Sequence, residues 1–125
     1  YDLVVISNAT RDFIDFKLKV DDLEKYFSRV FSTTSDFNCI KGDSKGYLGA
    51  CNRMGIAPGG LIHIGDDYHF DYLAARNVGI DAYFLMRDGG NREKENHSGP
   101  EGKFPVEKGK SVRDLEEFAN IILSH

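Results

Sequence analysis

"LIHIGDDYHFDYLAARNVGIDAYFLM", residues 61–86, decides the fold. The apolar run 61–65 ends on glycine and two adjacent carboxylates. A helical pattern follows from about Phe70 to Asn77, Gly79 comes after it, and a second β-rich run covers 81–86. Strand, polar turn, helix and strand is the unit of a parallel α/β sheet. Its oddity is the acid at the end of the first strand. Like charges repel there unless a cation, or the partial positive charge of a helix start, offsets them.

The same alternation runs along the chain. "LVVIS" (3–7), "RVFST" (29–33), "LIHIG" (61–65) and "DAYFLM" (81–86) read as four strands, each followed by a polar turn and a helical pattern. The first helix is entered through Asn8 or Thr10 and carries Phe13, Phe16, Lys17 and Val20, with a short continuation through Leu23 and Tyr26–Phe27. The second starts at Ser44, aligns Tyr47, Leu48, Cys51 and Met54, and stops at Gly55, where a left-handed cap suits glycine. Gly46 and Gly49 inside it each cost about 1 kcal/mol against alanine, so a neighbour must approach closely or packing must compensate. The last helix opens on the capping-box-like "SVRD" at 111–114, with Leu115, Phe118, Ala119 and Ile122 behind it. Residues 88–110 are rich in Gly, Lys and Glu and read as one long flexible loop with solvated charges.

At 125 residues, 41% of them hydrophobic, the chain is long enough for one domain, 1–125, and short for two. The net charge of −4 gives no basic footprint for nucleic acid or an anionic membrane. No apolar run approaches a membrane span, and no signal-like segment opens the chain, so a cytoplasmic protein is expected. Cys39 and Cys51 cannot build a disulfide framework and read as reduced, packed thiols. "YDLVVIS" enters a strand almost at once, without an initiator Met, and reads as a cut.

In an open parallel sheet, ligands gather at the carboxyl ends of the strands. The first strand delivers Ser7, Asn8 and Thr10, a hydroxyl and amide cluster at a helix start that suits a phosphate but, taken alone, is more often ordinary helix capping. The second leads to Lys41 and Lys45, either phosphate partners or surface lysines. The third delivers Asp66, Asp67 and then Asp71. Such hard oxygen donors suit Mg²⁺, which takes one or two carboxylates, several waters and phosphate oxygens; the competing reading is again a helix cap. His63 lies within the strand and reads as a packed core residue, and His69, near the acids, as a surface residue or one standing behind the metal ligands; neither reads as a ligand.

Taken in this order, the clusters resemble the haloacid dehalogenase superfamily of Mg²⁺-dependent phosphohydrolases. "VVISNATRDFIDFKL" is similar to that family's second motif, a strand ending in Ser or Thr followed by Asn. "IKGDSKGYLGACNRMGIAPGGLIHIGDDYHFDYLAARNVGIDAYFL" is similar to the third and fourth: a lysine, a helix, then Gly-Asp with an acid further on. The resemblance covers residues 3 to about 87. By position it implies that Ser7, helped by Asn8, hydrogen-bonds the phosphoryl group and that Lys41 balances its charge as a catalytic residue. It also implies that Asp66 binds Mg²⁺, with Asp71 as second acid and Asp67 behind it. Gly42 stands where the family often has Pro, which keeps Lys45 as a substitute for Lys41. The family's first motif, Asp-x-Asp on a strand, supplies the nucleophile and the general acid/base, and no Asp-x-Asp occurs in the 125 residues. The cap insertion that follows that motif is missing too, so the chain looks like the carboxyl-terminal half of a core domain.

The fold so implied is a Rossmann-like three-layer α/β/α arrangement with a mostly parallel sheet. Four strands lie in this chain, and the central nucleophile strand is missing. That strand would lie between those ending in Ser7 and Thr33 and those ending in Gly65 and Met86. Its absence leaves backbone groups to be satisfied, which predicts a strand-swapped or augmented homodimer. The expected function is part of a phosphomonoester hydrolase acting on a small phosphorylated substrate through an aspartyl-phosphate, with this chain inactive by itself. The alternative is a non-catalytic Mg²⁺/phosphate-binding or interaction domain. A response-regulator receiver fits the length but not the order, because receivers place their acid pair after the first strand and their lysine late.

Overall fold

The structure is a computed structural model that describes residues 1–40, 42–86 and 104–124. The chain divides into two compact units, Tyr1–Pro58 and Gly59–His125. No helix among the described residues is long and apolar enough to cross a membrane.

In the first unit, β1 (Val4–Ser7) pairs in parallel with β2 (Arg29–Ser32), Val4 opposite Arg29 and Ser7 opposite Ser32. Helix α1 (Arg11–Val20) connects them and buries Ile14. The predicted continuation is a single 3₁₀ turn, Glu24–Tyr26. A short helix not foreseen from sequence, α2 (Thr33–Phe37), follows β2 directly, capped by the Ser32 hydroxyl, which accepts from the Ser35 N–H. Helix α3 (Ser44–Met54) starts where expected, but its cap is Asp43, whose carboxylate accepts from the Lys45 N–H. It ends at Gly55, left-handed with φ 70°. The helical glycines have their close neighbour: a Cβ on Gly49 would lie 2.7 Å from the Phe37 ring, and one on Gly46 would lie 3.0 Å from Thr33 Cγ2. The propensity cost of two glycines thus lets α3 dock on α2.

In the second unit, β3 (Ile62–Gly65), β4 (Asp81–Leu85) and the two-residue β5 (Ser111–Val112) form a parallel sheet in that order. Strand alternation sorts the side chains into two layers. Ile62, Ile64, Tyr83, Leu85 and Val112 pack with Phe118 and Ile121 of helix α5 (Leu115–Leu123). Full burial of a Val or Leu side chain there contributes about 1.5–3 kcal/mol. The opposite face carries His63, Gly65 and Phe84, and Phe84 meets Tyr68 and Tyr72 with ring centroids 5.7 and 6.3 Å away. Those tyrosines sit on a π-helical turn, Tyr68–Leu73, that runs on into α4 (Ala74–Asn77). Helices on both faces of a parallel sheet make the three-layer α/β/α arrangement.

Residues 111–114 do not open a helix. Ser111 and Val112 join the sheet, the Met86 N–H donates to the Val112 carbonyl, and the cap is Asp114, which accepts from the Glu117 N–H at 2.7 Å. Burial of Val112 decides this, because its side chain completes the α5-facing core. β5 thereby adds a fifth strand to the four read from sequence. Of the predicted 88–110 loop, residues 88–103 lie outside the described residues. Residues 104–110 are anchored: Tyr68 Oη donates to the Pro105 carbonyl, the Glu107 N–H donates to Tyr72 Oη, and Lys110 pairs with Asp81 at 2.8 Å.

Among the described residues, the strand pairs are parallel and form two hydrogen-bonded sheets, β1–β2 and β3–β4–β5. Among the described residues, no strand pairs with the far edge of β1 or of β3.

Candidate metal and phosphate site

The carboxyl end of β1 delivers Ser7 and Asn8 into a turn held from the next strand. Ser7 Oγ accepts from the Ala9 N–H at 3.1 Å. Thr10 sits at the start of α1 but makes no capping bond with its side chain. Instead the Arg11 N–H donates to Ser35 Oγ at 3.0 Å. Five consecutive residues, Ser32 to Asp36, each grip the segment 7–11. Ser32 Oγ donates to the Ala9 carbonyl (2.7 Å), Thr33 Oγ1 to Asn8 Oδ1 (2.6 Å) and Thr34 Oγ1 to the Asn8 carbonyl (3.1 Å), while Asp36 pairs with Arg11. Burial pushes the Asp36 carboxyl up, but the Arg11 guanidinium and the Ser32 N–H outweigh it and hold its pKa below the usual carboxylate value.

The carboxyl end of β3 delivers the acids. Because side chains alternate along a strand, His63 and Gly65 share one face, and the Asp71 carboxylate lies on it. Its Oδ1 is 3.2 Å from His63 Nε2, and its Oδ2 accepts from the Asp67 N–H at 3.1 Å. Asp71 is only 6% exposed. A Cβ at residue 65 would overlap the Asp71 carboxyl group, so the glycine before Asp66 makes room for it. Asp67 caps the following turn, its Oδ1 accepting from the Phe70 N–H at 2.9 Å and its carbonyl from the Asp71 N–H at 2.8 Å.

The structure therefore joins Asp67 and Asp71 in one hydrogen-bonded turn, with Asp66 between Gly65 and Asp67 at its entrance. Ser7 and Asn8 belong to the first unit and Asp66, Asp67 and Asp71 to the second; Lys41 lies outside the described residues. Among the described residues, no group of three His, Cys, Asp or Glu is arranged to hold a metal ion. The donors are hard carboxylate oxygens, which fits Mg²⁺ held by one or two protein carboxylates with water and phosphate completing its shell. Sequence reasoning passed over two residues here. His63, read as a packed core residue, is the half-buried partner of Asp71, and Thr33 holds Asn8. The hydroxyl run "STTSD" directly after a strand was the available signal for the second.

Cys39 and Cys51 are free, and burial pushes both above the usual thiol value.

Comparison with known proteins places the chain. The profile of the haloacid dehalogenase-like hydrolase family matches residues 1–85. The chain belongs to this family. A relative, haloacid dehalogenase-like hydrolase domain-containing protein 3 of Danio rerio, is 33% identical over 88 residues, which cover 70% of this chain and 36% of that protein. The crystal structure of a HAD phosphatase from Thermococcus onnurineus is similar with a TM-score of 0.75 and 26% identity over 98% of this chain and 50% of that one. The HAD-hydrolase YfnB of Bacillus subtilis, solved bound to magnesium, shares the fold with a TM-score of 0.78 at 18% identity, over 98% of this chain and 48% of that one. The chain spans a third to a half of the length of these haloacid dehalogenase-like proteins.

Proposed function

We propose that the chain carries the phosphate- and metal-binding part of a Mg²⁺-dependent phosphohydrolase acting on a small phosphorylated substrate. The observation that carries this reading is the buried Asp71 carboxylate seated over Gly65, which braces the turn presenting Asp66 at the end of β3. A carboxylate is costly to bury, and this one is held by His63 Nε2 and the Asp67 N–H. The bracing fixes the backbone that carries the neighbouring acid.

In this reading Ser7 Oγ and the Asn8 amide donate to phosphate oxygens, and Lys41 balances their charge. Asp66 would hold Mg²⁺, with Asp71 as the second acid of the site and Asp67 serving it as the cap of the turn. The bound ion would supply electrostatic stabilisation to phosphate oxygens. No Asp-x-Asp occurs in the 125 residues, so the chain carries no candidate for the nucleophile the family uses. The alternative reading is a Mg²⁺/phosphate-binding domain without turnover. The reading frame upstream of Tyr1 separates the two: an apolar strand ending in Asp-x-Asp supports part of an enzyme, and its absence supports the binding domain.

The test on the chain itself is hydrolysis of p-nitrophenyl phosphate with Mg²⁺, together with an inorganic phosphate titration of wild type and Ser7→Ala. The expected result is no turnover, with phosphate perturbing the backbone amides of residues 7–9 and binding weakened in Ser7→Ala. Robust turnover, or phosphate binding indifferent to Ser7, would contradict the assignment.

A further inference from the structure

We infer that Thr33 is a positioning residue for anion recognition: its hydroxyl fixes the side-chain amide of Asn8 so that the donor end faces away from the protein contact. This inference rests on the reading of Ser7 and Asn8 as phosphate-binding residues.

Thr33 is fully buried. Its single hydroxyl proton has two acceptors within reach, Asn8 Oδ1 at 2.6 Å and the Ser7 carbonyl at 3.4 Å. The short distance belongs to an O–H···O bond, shorter than N–H···O bonds usually are, so Thr33 donates and the Asn8 carbonyl oxygen accepts. A primary amide has its acceptor and donor ends on opposite sides of one carbon. Committing the oxygen to Thr33 therefore turns the Nδ2H₂ group away from it, and only that end can donate to an anion. Deleting the hydroxyl removes the donor that commits the amide oxygen to this side, so the orientation of the amide, and with it the donor end offered to an anion, is less firmly set.

The surroundings hold this bond in place. Thr34 Oγ1 donates to the Asn8 carbonyl and Ser32 Oγ to the Ala9 carbonyl, so the backbone on both sides of the Asn8 side chain is pinned from the same short segment. The methyl of Thr33 has a separate task, packing where a Cβ on Gly46 would come within 3.0 Å. Hydroxyl and methyl can therefore be removed one at a time. Thr33→Val keeps the packing and deletes the donor; Thr33→Ser keeps the donor and deletes the packing.

The experiment records the ¹⁵N-labelled chain by NMR, following the Asn8 Nδ2H₂ pair during titration with inorganic phosphate. Thr33→Ser should retain the wild-type Nδ2H₂ shifts and phosphate affinity, whereas Thr33→Val should move those resonances and weaken phosphate by about fivefold to tenfold. A Thr33→Val chain with wild-type Asn8 resonances and affinity overturns the inference, and so does a Thr33→Ser chain that behaves like Thr33→Val, since packing would then be the cause. If Thr33→Val does not fold, the wild type decides by itself: a slowly exchanging Thr33 hydroxyl proton supports the bond to Asn8, and a rapidly averaged one overturns it. If phosphate leaves the Asn8 and Ser7 signals of the wild type unmoved, the phosphate reading itself fails. That outcome is distinct from phosphate binding that ignores Thr33.

Discussion

The carboxylate of Asp71 occupies the space a side chain on Gly65 would need. Glycine at the end of β3 is thus the condition for burying an acid on the same face as His63. Substituting Gly65→Ala forces the carboxylate or the strand end to move. Overpacking of this kind costs about 1–3 kcal/mol, to be read from urea unfolding midpoints. A variant as stable as wild type would mean that Asp71 moves aside at no cost and does not brace the turn.

His63 and Asp71 make a second, separable prediction. Replacing His63 by Leu leaves a buried carboxylate with one partner fewer, at a cost of about 1–3 kcal/mol. Gln places an amide donor near the position of Nε2, so His63→Gln should recover much of that loss. Equal unfolding midpoints for the two variants would contradict a hydrogen-bonding role.

Asp36 sets an acid-side dependence. Its pKa is lowered in the folded chain, so the stability it contributes is fully present above the ordinary carboxylate value of about 4. That contribution is lost as the pH falls through the lower, folded value. Asp36→Asn should therefore destabilise at neutral pH, by about 1–2 kcal/mol. The gap from wild type should close as the pH is taken well below 4. A gap that stays constant with pH, in urea midpoints measured along the series, would show that the Arg11–Asp36 pair does not set this dependence.

Among the described residues, the far edges of β1 and β3 pair with no strand, and this predicts association. Unsatisfied strand edges recruit strands from other chains, so light scattering should report a dimer of the purified chain. A cooperatively folding monomer, with amide protons of β1 and β3 protected from exchange on both edges, would contradict it.

The α/β class, the four longer strands and the order of the clusters were legible because hydrophobic periodicity and glycine punctuation carry them locally. β5 was not. Two residues give no periodicity, and what makes Ser111–Val112 a strand is the neighbouring β4 and the core that Val112 completes. Helix α2 was hidden for a different reason: Ser32 to Asp36 look like turn residues, and their hydroxyls become helix cap and clamp only when residues 7–11 lie beside them. At the acidic turn the residue types were readable and their division of labour was not. The His63–Asp71 pair depends on strand alternation meeting a helical turn eight residues later, a relation invisible to either period alone.

Calorimetric titration of Mg²⁺ into wild type and Asp66→Asn tests the central claim most directly. Saturable binding in the wild type, lost or clearly weakened in Asp66→Asn while Asp67→Asn retains it, is the predicted result. Equal binding by wild type and Asp66→Asn would contradict the account.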